Sequence, residues 1–262
     1  MFSTILVCNM SVRLSTLLLL FFSLFSTVCP AQITLTVAAA ADLSALEPDL
    51  ASSFGKNHPR ITLRFVTESS AALAQQIENG APYDVFLSAN AQYIDRLASN
   101  RKIRRDSVRP YAEGRLGVLW KDGKPHDLSA LAASNVHFVA LPNPKLAPYG
   151  VAAQQVLEHL HIWQRVQPKV VYGENVRQTL QLFTSGNADA VLTSASLLQG
   201  KGAQVIPARS HAPILQKAGA VAASKNSTEA KAFLNFLTSP AGQAVFARYG
   251  FGPVKLADKR LH

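Results

Sequence analysis

Thr34-Leu-Thr-Val-Ala-Ala-Ala-Ala-Asp42-Leu-Ser44-Ala-Leu-Glu47 decides the reading of the chain. A β-compatible apolar run passes through small residues and gives way to helical spacing, which predicts a buried strand ending at a helix N-terminus. The first N–H groups of a helix lack intrahelical acceptors, and the aligned peptide dipoles place partial positive charge there. Such a junction is a ready anion site. The helix is expected over Leu43–Phe54, with Leu43, Leu46, Leu50 and Phe54 on one side. Ser44-Ala-Leu-Glu47 has the form of a capping box, and Pro48 is tolerated in a first turn, so Ser44 is the expected cap and Asp42 stands just outside.

Working outward, the same grammar repeats. Ile61–Val66 reads as a second strand, Thr67-Glu68-Ser69-Ser70 as a polar turn, Ala71–Asn79 as a helix stopped by Gly80-Ala-Pro82, and Asp84-Val-Phe-Leu-Ser88 as a third strand. Strand, helix, strand, helix, strand describes a mostly parallel sheet. Tyr111–Trp120 reads as a connecting strand into a second lobe, Val136–Leu141 as its first strand and Val151–Leu160 as a helix. Glu174, Gly186 and Asp189 then echo Glu68, Gly80 and Asp84 at offsets of 106, 106 and 105 residues. Two versions of one α/β unit are implied. By this register Ser70 corresponds to Val176, and Asp42 falls close to Tyr149. Ligands of open α/β sheets bind beyond the carboxyl ends of the strands, so four helix starts are expected to face one cleft. A return strand is expected over Ala218–Ala223. The closing helices Thr228–Leu237 and Pro240–Tyr249 carry Phe233, Phe236, Leu237, Val245 and Phe246 as core. The lobes are expected over 32–112 with 223–262, and over 113–222.

The 262 residues suffice for two lobes with their own cores. Residues 1–31 carry one charge, Arg13, ahead of the apolar run Leu14–Val28, which reads as a signal peptide with a cut after Ala31. A membrane span would want about 20 apolar residues. Ser26-Thr27-Val28 before Cys29 fits a lipidation site poorly. Cys8 and Cys29 are the only cysteines, and both fall in the removed segment. The mature chain therefore has no disulfide, thiolate metal site or cysteine nucleophile. Its formal charge drops by one from +10 to +9, mostly as a scattered solubility surface. Arg101-Lys-Ile-Arg-Arg105 is the one cluster. It has no interleaved aromatics, and with export this argues against a nucleic-acid partner.

The chain has no glycine-rich phosphate loop, no G-x-S-x-G elbow and no HExxH pair. His159-Leu-His161 places two histidines on different helix faces, a solvated pair rather than a metal site. What remains is a set of small or neutral polar positions at strand-to-helix turns: Asp42, Ser69, Ser70, Tyr149, Asn175 and Val176. Val176 can act only through its backbone N–H. A site of this kind, without Lys or Arg, holds an anion by dipoles and directed donors. No catalytic residues are assigned.

At these residues the chain resembles the periplasmic molybdate-binding proteins of ABC importers, within the type II periplasmic binding fold. The carriers are Val37-Ala-Ala-Ala-Ala-Asp42-Leu, Ser69-Ser70, Gly80-Ala-Pro-Tyr-Asp84-Val-Phe-Leu-Ser88-Ala, Ala147-Pro-Tyr149-Gly150, Val171-Tyr-Gly-Glu-Asn-Val176 and Arg248-Tyr-Gly-Phe251. The resemblance implies a two-lobe α/β protein that binds molybdate or tungstate between its lobes and delivers it to a membrane permease. It implies a soluble periplasmic monomer without cofactor, whose ligand site is Asp42, Ser70, Tyr149 and Val176. Their amides and the Ser70 hydroxyl would be the donors, with molybdenum reached only as its oxoanion. Three positions depart from the pattern. Asp42 stands where many relatives have a Ser donor, and its side chain is expected to turn away towards local backbone donors. Thr193 stands where some relatives supply a Tyr hydroxyl, and Glu68 replaces a small residue. A binder of phosphate or sulfate, an exported enzyme on the same fold and a surface adhesion factor are the alternatives.

Overall fold

The computed structural model describes residues 32–254. The expected signal peptide and its cut after Ala31 lie outside the described residues.

β1 (Ile33–Ala40) is buried from Leu35 to Ala40, as a central strand covered on both faces must be. It pairs in parallel with β2 (Ile61–Glu68) on one side and with β3 (Val85–Ser88) on the other. Between them lie α1 (Glu47–Gly55) and α2 (Ser70–Glu78), and α3 (Ala91–Ser99) follows β3. β4 (Arg109–Gly114) ends one residue before β5 (Leu116–Trp120), so the connecting strand expected over Tyr111–Trp120 is two strands in two sheets, divided at Arg115. The second lobe continues through β6 (Val139–Pro142), α4 (Pro148–His159), α5 (Trp163–Val166), β7 (Val170–Gly173), α6 (Val176–Thr184), β8 (Ala190–Ser194) and β9 (Gln204–Val205). β10 (Ile214–Ala220) rejoins the first sheet, and α7 (Ser227–Leu237) and α8 (Pro240–Arg248) close the fold.

The strand orders are β2-β1-β3-β10-β4 and β7-β6-β8-β5-β9. In each sheet the first three strands are parallel and the next two join antiparallel. The repeat read from sequence is thus a repeat of topology. It extends to fine detail. Gly80 and Gly186 end α2 and α6 at φ +87° and +83°, a left-handed conformation that costs glycine little. Asp84 Oδ2 accepts from the Thr36 amide at 2.7 Å, and Asp189 Oδ2 accepts from the His137 and Phe138 amides at 2.8 and 3.1 Å. Each carboxylate ties the start of its sheet's middle strand to the strand beside it.

Three expectations need correction. β10 spans Ile214–Ala220, so the return strand starts and ends earlier than Ala218–Ala223. The helix expected from Leu43 is divided: Ala41–Leu43 is a 3₁₀ turn, and α1 begins only at Glu47 with Pro48 in its first turn. Ser44 forms no capping box; its hydroxyl donates to the Ala41 carbonyl at 2.9 Å and closes the 3₁₀ turn. Leu43, Leu46, Leu50 and Phe54 are nevertheless all buried, because the break preserves their common side. They pack with Phe233, Phe236, Leu237, Val245 and Phe246 in the first lobe's core. Burying each such side chain is worth about 1.5–3 kcal/mol. His159 and His161 are exposed, as expected of a solvated pair.

Candidate functional site

The carboxyl ends of β1, β2 and β6 point at the seam between the sheets. There Ala40, Ala41 and Ala89 of the first lobe pack into the same core cluster as Tyr149 and Val176 of the second. A small cavity lies in this seam, walled by Ala40–Asp42, Ser69, Ser70, Ala89, Ala147–Tyr149, Asn175 and Val176. The four positions singled out in the sequence, Asp42, Ser70, Tyr149 and Val176, all reach it. Each is at most 3% exposed. About 10 Å³ is open to the centre of a water-sized sphere, room for about one water. Among the described residues no Lys or Arg lines it.

Local sequence explains each wall. Ser69 is the N-cap of α2, its Oγ accepting from the Ala72 amide at 3.2 Å. That leaves Ser70 free of capping duty. Its Oγ accepts from the Ala89 amide at 3.1 Å, and its own proton is left without an acceptor among the described residues. Asn175 caps α6 in the same way, accepting from the Arg177 and Gln178 amides at 3.0 and 2.9 Å, which presents Val176 as the first helical residue. Tyr149 follows Pro148 in the first turn of α4. The amides of Ser70, Tyr149 and Val176 are therefore helix-start donors, and none has a protein acceptor among the described residues. Three α-helix starts and one 3₁₀ turn converge here, where four α-helices were expected.

Gly150 makes the α4 start possible. A Cβ there would sit 2.2 Å from the Pro142 carbonyl oxygen and 2.7 Å from the Pro144 nitrogen, both backbone. Gly114 gives similar room to Tyr149, whose hydroxyl would lie 2.3 Å from an added Cβ.

The Asp42 side chain overturns the expectation that it would turn to local backbone donors. Its Oδ2 accepts from the Tyr149 hydroxyl across the seam at 2.8 Å and from Gln216 Nε2 on β10, in a short contact. Tyr111 Oη on β4 donates in turn to Gln216 Oε1 at 2.5 Å. Oδ1 is buried without a partner. Burial pushes the Asp42 carboxyl up to about 6, against the lowering pull of the hydrogen bonds from Tyr149 and Gln216 and a smaller one from its own amide. Burial, and then the Asp42 charge, hold the Tyr149 and Tyr111 hydroxyls well above their ordinary value.

Three more bonds cross the seam, one of them from Gln216 Nε2 to Tyr149 Oη at 3.4 Å. Ser196 Oγ donates to the Asp42 carbonyl at 2.6 Å, and Asn175 Nδ2 to Glu68 Oε2 at 3.4 Å. Thr193 is buried away from the cavity and donates to the Val176 carbonyl at 3.0 Å, so it steadies α6. Gln216, Tyr111 and Ser196 were not anticipated. The signal for Gln216 was a polar residue in the apolar alternation Ile214, Gln216, Ala218, a position that must face the interior.

Among the described residues no group of His, Cys, Asp and Glu is placed to hold a metal ion, and no helix is long and apolar enough to cross a membrane. The arrangement suits an anion that accepts hydrogen bonds.

Residues 35–252 match a family described as bacterial extracellular solute-binding protein. The molybdate-binding protein ModA of Azotobacter vinelandii is 34% identical over 236 residues, covering 86% of this chain and 92% of that one. ModA of Rhodobacter capsulatus, also a molybdate-binding protein, is 31% identical over 195 residues, 72% of this chain and 77% of that one. Among solved structures, the Azotobacter vinelandii periplasmic molybdate-binding protein superposes with a TM-score of 0.78 at 28% identity, covering 84% of this chain and 100% of that one.

Proposed function

The chain belongs to the bacterial extracellular solute-binding protein family, and on that premise we propose that it captures molybdate, or tungstate, between its lobes and delivers it to the membrane permease of an ABC importer. The observation that carries this reading is the convergence of unpaired helix-start amides and the Ser70 hydroxyl on one enclosed cavity without Lys or Arg. The reading is of a binding protein, not an enzyme. It works as a periplasmic monomer, exported by a signal peptide cut after Ala31, with no cofactor and no nucleic-acid partner.

Asp42 and Ser70 stand on one lobe, Tyr149 and Val176 on the other. An anion between them satisfies amides of both and draws the lobes together, the exchange expected of a hinged binding protein. Molybdate is a deprotonated tetrahedral oxoanion at neutral pH and only accepts hydrogen bonds, which suits amide donors. The cavity is smaller than such an anion, so the ligand enters with the seam opened.

Ser70→Ala is expected to weaken molybdate binding by about 1.5–3 kcal/mol, the range for a hydrogen bond to a charged group. Titration calorimetry returning wild-type affinity for this variant would remove Ser70 from the site.

Phosphate is the second reading, and Asp42 is the observation that favours it, because an ionised carboxylate can accept the proton of hydrogen phosphate. Thermal unfolding with molybdate, tungstate, sulfate and phosphate in turn decides between them. At one hundred times its dissociation constant a ligand adds about 2.7 kcal/mol, and for a domain of this size each kcal/mol is worth about 2–4 °C. Molybdate and tungstate are expected to raise the midpoint by about 5–11 °C and the others to leave it in place. A rise with phosphate alone would transfer the function to phosphate.

A further inference from the structure

Asp42 meets the cavity with one carboxyl oxygen committed and the other idle. Oδ2 holds both donors, Tyr149 Oη and Gln216 Nε2, while Oδ1 is buried and unpartnered. An ionised carboxylate here would repel a dianion a few ångströms away in a site without a cation, and the low local dielectric would strengthen that repulsion. Protonated at Oδ1, the same group becomes a donor, and Oδ2 keeps its two hydrogen bonds unchanged.

We propose that Asp42 is the proton carrier of the site, binding the oxoanion as a neutral acid whose Oδ1 proton is donated to a ligand oxygen, so that each dianion captured above neutral pH brings one proton with it. The inference rests on the oxoanion reading above. The step is a plain protonation: the buffer acid gives up a proton, one O–H bond forms on Oδ1, and no electrons are transferred.

The surroundings leave Asp42 as the group that titrates. Tyr149 on α4 and Tyr111 on β4 are the titratable groups facing it, and both stay protonated far above neutrality. Gln216 on β10, Ser196 after β8 and Asn175 at the head of α6 are neutral. Charged side chains on the flanking elements are engaged elsewhere: Glu47 accepts from Thr67 at 2.5 Å, Glu68 from Asn175 at 3.4 Å, Arg115 meets Glu113 at 2.6 Å, and Lys217 meets Asp95 at 2.8 Å. Arg177 exerts its charge on Glu47. Among the described residues no cation is left to neutralise the Asp42 carboxylate. In the empty protein burial already holds this carboxyl near 6, and a dianion beside it raises it further.

The test is titration calorimetry of the purified protein with sodium molybdate at pH 7.5, in buffers of different ionisation enthalpy, followed by affinities at pH 7, 8 and 9. The expected result is uptake of about one proton per molybdate and a dissociation constant that rises about tenfold per pH unit. Asp42→Asn presents an N–H donor that cannot titrate, and should bind with no proton uptake and no such slope. Wild-type protein that binds molybdate with no proton uptake and a flat affinity would overturn the inference and leave the oxoanion reading intact. Proton uptake persisting in Asp42→Asn would overturn it too, by assigning the proton to another group. Failure of molybdate, tungstate, sulfate and phosphate alike to bind would defeat the oxoanion reading itself. The wild-type arm needs no variant, so poor folding of Asp42→Asn does not spare the proposal.

Discussion

Gly150→Ala is expected to lower the thermal midpoint by about 4–8 °C and to cripple ligand binding in the same stroke. Two effects oppose each other at this position. Alanine is the better helix former by about 1 kcal/mol, which taken alone would stabilise the first turn of α4. Against it, the new methyl would stand 2.2 Å from the Pro142 carbonyl oxygen, 2.7 Å from the Pro144 nitrogen and 2.9 Å from the Asn143 carbonyl carbon. None of these is the end of a flexible side chain, so relief requires the start of α4 to move off the end of β6. Overpacking of this kind costs about 1–3 kcal/mol and occasionally more, and backbone on three sides puts Gly150 at the upper end. A net loss of about 2 kcal/mol corresponds to that change in midpoint at about 2–4 °C per kcal/mol. The displaced turn carries the Tyr149 amide and hydroxyl, so molybdate affinity should fall at least as far as in Ser70→Ala. A variant that melts at or above the wild-type temperature would show that α4 does not start against this loop.

Asp42 makes the empty protein more stable in mild acid than at neutrality. Its carboxyl sits at about 6 in the folded chain against 3.8 in the unfolded one. The folded state therefore binds the proton more tightly. Its advantage is full below about pH 4 and is lost as pH rises through 6. At pH 7 the ionised, buried carboxylate costs about 3 kcal/mol, since each tenfold difference in proton affinity between the two states is worth about 1.4 kcal/mol. By pH 5 about 1 kcal/mol of that is recovered. Chemical denaturation of wild type and Asp42→Asn at pH 5, 6 and 7 isolates this contribution from every other titrating group. Relative to the variant, the wild type should gain about 1 kcal/mol on going from pH 7 to pH 5. Parallel pH profiles for the two proteins would mean that Asp42 titrates normally.

Much of this architecture was legible because it rests on local patterns. The apolar run ending at Asp42, the glycines at 80 and 186 and the carboxylates at 84 and 189 each express a backbone requirement that recurs in both lobes. The convergence of Asp42, Ser70, Tyr149 and Val176 followed from that register, since parallel strands deliver their helix starts to one edge. The break between Leu43 and Glu47 was not legible, because a 3₁₀ turn and a helix keep the same residues buried and so leave the same spacing. The Asp42 contacts were missed for another reason. Local propensity can state that a carboxylate near a backbone turn will find nearby amides. It cannot state that a tyrosine 107 residues away and a glutamine 174 residues away will arrive first. Gln216 alone left a trace, as a polar residue in a buried register.

The single residue between β4 and β5 has a consequence for how the chain reaches this structure. Residues 116–205 form an insert between β4 and β10, which pair with each other, Ile214 opposite Gly114. In a disordered chain that pairing closes a loop of about 100 residues, an entropic charge of roughly 4 kcal/mol by the logarithmic law of loop closure. The insert, however, joins its own two ends, with Gly117 opposite Val205. Once it has folded, only the short stubs on either side remain to be closed, about ten residues, at roughly 2 kcal/mol. The small β5–β9 pairing is thus a clasp in time as well as in space: it turns a contact across about 100 residues of the first sheet into a nearly local one, and the connectivity itself favours an order in which the inner lobe folds before the outer one is sealed.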